Sequence, residues 1–146
     1  MNLTPRQKTL VRESFESVRE YSDSVVVLFY GRLFEIAPEV RGLFHIEIRE
    51  QARKLMDMLT ALVEALDRFG ALRPDLAELG RRHGEYKVVP AHYDALVSAL
   101  MWAYGHALGL EFDRETRLAW EQLLHAVSAV MIEGAATAQA SPRVSE

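Results

Sequence analysis

Along the chain, stretches in which apolar residues recur every three or four positions alternate with short polar or proline-bearing breaks. The first stretch opens Thr4-Pro5-Arg6-Gln7, the pattern of a capped helix start with proline at its first position. Val11, Phe15 and Val18 then share one face. The second stretch, about Asp23 to Ala37, centres on VVVLFYGRLF and is apolar nearly all round, which predicts a buried helix. Val25-Val26-Val27 alone would also suit a strand, but the length of the stretch and the later Leu33 and Phe34 favour helix. Pro38 ends it and opens a short turn through Val40 to Phe44, followed by a polar link from His45 to Glu50. Ala52, Leu55, Leu59, Leu62, Val63 and Leu66 predict a long helix to about Phe69, with Gly70 as its C-cap. Pro74 is expected to open a short helix with Leu76, Leu79 and His83 on one face. Val88-Val89-Pro90 breaks the chain again. Two long helices complete the pattern, Ala91 to Leu110 and Asp113 to about Ala136, the second capped by Asp113.

No alternating strand pattern competes, so the fold class is all-α, with six to eight helices in one domain over residues 1–138 and a frayed tail over 139–146. At 146 residues and 49% hydrophobic content, the chain has enough apolar side chains for a core. The net charge of -4 is spread over both signs without a basic stripe, which argues against nucleic acid as a partner. There is no cysteine, which excludes disulfides, thiolate-bound clusters and cysteine nucleophiles. No apolar run reaches bilayer length and MNLTPRQK is not a leader, so the expectation is a cytoplasmic protein without a membrane partner.

Of the five histidines (His45, His83, His92, His106, His125), His83 has the unusual setting. It falls in line with Leu76 and Leu79, while Arg81, Arg82, Gly84 and Glu85 point elsewhere. A neutral imidazole aimed at apolar space suits a heme iron as axial ligand. It equally suits a core histidine held by a hydrogen bond, and spacing alone favours that simpler role.

The motifs around it change the balance. LFYGRLF, then Pro38, then GLF ending at Phe44, then QARKLM, LGRRHGEYKVV and RLAWEQL with Trp120 occur in this order. In that order and spacing, the chain from about Thr4 to Ala136 resembles the globin family, in particular bacterial single-domain globins related to flavohemoglobin heme domains, and neuroglobin. The resemblance implies heme b (iron protoporphyrin IX) with His83 as proximal ligand. It puts Tyr30 and Gln51 on the distal side, where a phenol O–H and an amide N–H can donate to a gas with partial negative charge. Leu55 would crowd that side, Phe44 would pack on the porphyrin face and Val88 would touch the ring edge. Lys54 and Arg82, and less strongly His45, would lie near the propionates; solvated surface positions suit these charges equally well. Tyr93 matches the tyrosine that flavohemoglobins place behind the proximal histidine. Gln51 stands where other globins carry a distal histidine, and an amide is a poor iron ligand, so a five-coordinate iron is expected. The implied partners are dioxygen, nitric oxide and carbon monoxide.

One position departs from the flavohemoglobin pattern. No glutamate stands near Thr137, where one would fall behind the proximal histidine, and Glu133 is about a turn too early. Two functions remain: reversible dioxygen binding, or nitric oxide dioxygenase activity that yields nitrate with an external reductase. The missing glutamate, and the lack of a flavin or nicotinamide domain in the sequence, tilt the reading toward binding. A heme-free signalling module is a third reading, opposed by His83, Tyr30 and Gln51 together. The glycines are too scattered for a phosphate loop, no serine triad is indicated, and the acidic pairs Glu47/Glu50 and Asp57/Glu64 read as solvated.

Overall fold

Thr4 starts the first helix through a reciprocal cap. The Gln7 N–H donates to Thr4 Oγ1 (3.1 Å) and the Thr4 N–H donates to Gln7 Oε1 (2.9 Å). From there the computed structural model, which describes residues 2–43 and 47–140, runs through six α-helices. They are α1 (Pro5–Glu20), α2 (Ser22–Ile36), α3 (Ile48–Glu64), α4 (Phe69–Glu85), α5 (Pro90–Leu108) and α6 (Arg114–Ala140). Short 3-10 turns occupy Pro38–Leu43, Leu66–Arg68 and Gly109–Glu111, and no strand occurs among the described residues. The valine run is therefore helical. It is not buried all round: Val25, Phe29, Tyr30 and Leu33 face the core, while Val27 is 72% exposed.

The middle of the chain differs from the sequence expectation. The long helix ends at Glu64, not near Phe69, and Gly70 is not its cap. Ala65 leaves helical geometry (φ -103°, ψ 17°) and the following 3-10 turn buries Leu66. Asp67 in that turn accepts from Lys8 (3.0 Å) and Arg12 (2.8 Å) of α1. A tertiary tie, with burial of Ala65 and Leu66, sets this boundary. Pro74 does not open a helix either; it lies inside α4. A proline there removes one backbone hydrogen bond and costs about 3 kcal/mol. Phe69 and Leu76, on either side of it, are both buried, so each side of the break has its own anchor in the core.

The packing is dominated by two pairs, α4 on α6 and α2 on α5, with α1 laid across α6. Trp120 of α6 is fully buried, 6.1 Å from the ring of Phe15 and 5.0 Å edge-on from Tyr104. Its indole N–H donates to Ser14 Oγ (2.8 Å), and that hydroxyl donates to the Leu10 carbonyl (2.6 Å). No helix among the described residues is long and apolar enough to cross a membrane.

Candidate functional site

His83 belongs to the last turn of α4 and is half-buried. Its Nδ1–H donates to the Leu79 carbonyl at 2.8 Å, so the lone pair resides on Nε2. Burial, with a smaller contribution from the nearby Arg82 charge, holds its pKa below the usual histidine value, against the opposing pull of the Leu79 carbonyl. The side chain is thus a neutral, oriented imidazole, the form in which histidine binds a metal.

The backbone immediately after it is equally constrained. The His83 carbonyl accepts from Tyr86 N–H (3.0 Å) and Val88 N–H (3.1 Å), and Lys87 between them has φ 68°. This closes α4 with a left-handed residue, a conformation usually left to glycine. The turn directs the chain inward again at Val88, which packs against the core.

The other expected residues divide into three groups. Tyr30 on α2, Leu55 on α3 and Tyr93 on α5 are buried members of the hydrophobic core that runs from Leu3 to Met131, and Val88 and Leu79 pack against that core. Gln51, in the first turn of α3, is half-buried one turn before Leu55. Lys54 and Arg82 are exposed. Phe44 and His45 lie outside the described residues. The Tyr30 ring is 6% exposed, 4.8 Å edge-on from Phe29 and 6.0 Å from Phe34. Burial pushes its hydroxyl up to about 12, and Tyr93 is pushed to about 12 for the same reason. Both phenols therefore keep their proton at neutral pH and can act as donors.

The family behind these residues is decided by comparison. The globin family model matches residues 27–131, the span from α2 to late α6. The chain is a globin. Its relatives include the neuroglobin of Chaenocephalus aceratus, 30% identical over 90% of this chain and 92% of that protein. The neuroglobin of Tetraodon nigroviridis is 29% identical over the same shares. Among solved structures, this globin resembles an engineered carbene transferase made from a Rhodothermus marinus protein provisionally assigned as a nitric oxide dioxygenase. The TM-score is 0.84 at 24% identity, covering 95% of this chain and 97% of that one. A bacterial globin from Campylobacter jejuni superposes with a TM-score of 0.82 at 19% identity, covering 94% and 100%. At those identities the structural likeness is one of fold.

Globins bind heme and, through it, diatomic gases, and the residues of this globin fit that group. The donor set is right: a neutral imidazole with its Nδ1 committed to a carbonyl, on a segment whose Leu76, Leu79 and Val88 pack into the core. The partner of the His83 Nδ1–H is a carbonyl, not a carboxylate. Glu133 is exposed and lies 3.9 Å from Arg73, and Thr137 is exposed. Sequence reasoning passed over two features of this region. One is Lys87 in a left-handed conformation, which a lysine gives no hint of. The other is the close approach of α4 to α6 at Gly80 and Gly134, signalled only by small residues spaced three, four and seven apart.

Proposed function

We propose that this globin binds heme b through His83 Nε2 and reversibly holds dioxygen, with carbon monoxide and nitric oxide as further ligands. The heme iron, when bound, supplies the coordination position at which a diatomic gas is held. The observation carrying this reading is the His83 geometry: burial keeps the ring neutral, and the Leu79 carbonyl fixes the tautomer that leaves Nε2 free.

On the distal side, the reading gives Tyr30 and Gln51 the role of hydrogen-bond donors and Leu55 that of a wall restricting space and water. Tyr30, deeply buried, is the stronger donor; Gln51, half-exposed, competes with water for its own hydrogen bonds. Gln51 offers no imidazole to the iron, which favours a five-coordinate ferrous state. Val88 borders the ring edge and Tyr93 packs behind the proximal side. Lys54 and Arg82, both exposed, would meet the propionates in this reading.

A neutral carbonyl behind His83 donates less electron density to the imidazole than a carboxylate would, which favours gas binding over nitric oxide oxidation to nitrate. The test is reconstitution with heme followed by absorption spectroscopy of the wild type and His83→Ala. A ferrous five-coordinate histidine spectrum should appear in the wild type and be lost in the variant. Retention of that spectrum in His83→Ala would refute the assignment. Sustained nitrate production at the expense of nitric oxide with an added reductase would replace binding by catalysis.

A further inference from the structure

The helix that carries His83 touches α6 more closely than ordinary side-chain packing allows. A Cβ added to Gly80 would overlap the backbone of Met131, and one added to Gly134 would overlap the backbone of Ala77, both well under 3.0 Å. One turn beyond Gly80, a Cβ on Gly84 would sit 3.1 Å from the Ala135 Cβ. The two helices therefore meet main chain to main chain where Ala77 and Gly80 face Met131 and Gly134, and at Gly84 the Ala135 methyl closes the gap. Gly80 precedes His83 by three residues and Gly84 follows it directly. At about 100° per residue, the face bearing Ala77, Gly80 and Gly84 lies roughly a quarter turn from the face bearing Leu76, Leu79 and His83.

We infer that α6 is the rigid seat of the proximal histidine, with Gly80, Gly84 and Gly134 as positioning residues that set where the His83 ring stands. Three constraints converge on it: the backbone seat from one side, the Leu79 carbonyl on Nδ1, and the left-handed cap on the His83 carbonyl. Packed main chain has no rotamer with which to absorb an added methyl, so α4 itself must move. Because the two faces are a quarter turn apart, that movement carries His83 sideways, changing the tilt of its ring toward a bound ligand. This inference rests on His83 as the iron ligand, and it assigns to α6 the support that a carboxylate behind the histidine would otherwise give.

The test uses the heme-loaded ferrous protein and two readouts: the iron–histidine stretching band in resonance Raman spectra, and the rate of heme transfer to excess apomyoglobin. Gly134→Ala should shift or broaden the band and speed heme loss by about tenfold, the lower range for loss of outer-shell support. Gly84→Ala should shift the band less, because Ala135 can yield slightly, and adding Ala135→Gly should restore it. Gly70→Ala, in the same helix but facing open space, should leave band and rate unchanged. Should Gly134→Ala not fold, the Gly84→Ala and Ala135→Gly pair still decides. An unmoved band in Gly84→Ala, or a shift that Ala135→Gly does not reverse, overturns the inference while leaving the ligand assignment intact. Absence of the band in the wild type overturns the ligand assignment, and this inference with it.

Discussion

Replacing Tyr30 by phenylalanine isolates the hydrogen bond proposed for it on the distal side. The ring stays between Phe29, 4.8 Å away, and Phe34, 6.0 Å away, and its position is already 94% buried, so packing changes little. Only the O–H is lost. A hydrogen bond to a partly charged acceptor contributes about 1.5–3 kcal/mol, and the buried setting favours the upper part of that range. At about 1.4 kcal/mol per factor of ten, dioxygen release should quicken by about ten- to hundredfold. Carbon monoxide carries less charge when held, so its release should barely change. The hydroxyl is pushed up to about 12 by burial, so wild-type release should also be flat from neutral pH into mild alkali. Gln51→Leu should act in the same direction but more weakly, since its amide is already partly hydrated, and the two effects should not add. Stopped-flow displacement of dioxygen by carbon monoxide measures all of this. Unchanged or slower dioxygen release in Tyr30→Phe would show that the hydroxyl is not a stabilising donor, and the distal account would fall.

Lys87→Gly should raise stability by up to about 1 kcal/mol, because glycine relieves the left-handed backbone. Lys87→Val should lower it, and thermal denaturation of the two variants should move in opposite directions. Ser14→Ala should cost about 1–3 kcal/mol in denaturant titrations, since it leaves the buried Trp120 N–H without its acceptor. Asp113, which accepts from the Thr116 N–H at 2.9 Å, has its pKa held below 3.8 by that bond first, then by the Thr116 hydroxyl. The unfolded chain therefore takes up this proton first on acidification. The cap's contribution is complete well above 3.8 and is lost as the pH falls below it, so the protection of the Thr116 amide, relative to its intrinsic exchange rate, should fall in acid in the wild type but not in Asp113→Asn.

The helices with a capped start or a proline break at their ends were legible from the residues alone: Thr4 and Gln7 for α1, Pro38 after α2, Pro90 for α5, Asp113 for α6. The stretch from Ala65 to Pro74 was not, because its boundary is set across the fold. Asp67 is fixed by Lys8 and Arg12 of α1, and no local pattern announces that pairing. At the site, periodicity marked His83 as facing an apolar space, and family resemblance singled out Tyr30, Gln51 and Leu55. The tautomer of His83 was out of reach, since it depends on the distance from Nδ1 to the Leu79 carbonyl. The glycine contacts of α4 with α6 were also hidden, because a glycine that admits another backbone reads the same as one that merely turns the chain.

Pro74 divides α4 unequally. Without an amide proton it cannot bond the Gly70 carbonyl, so the turn from Phe69 to Arg73 lacks one of the rungs that would couple it to the rest of the helix. The part after Pro74 is seated on α6 at Ala77, Gly80 and Gly84; the part before it meets the 3-10 turn at Leu66–Arg68. In hydrogen exchange these should behave as two separate cooperative units. The first turn can open and close on its own timescale, exchanging its amides early, while the segment that carries His83 opens only when α6 does.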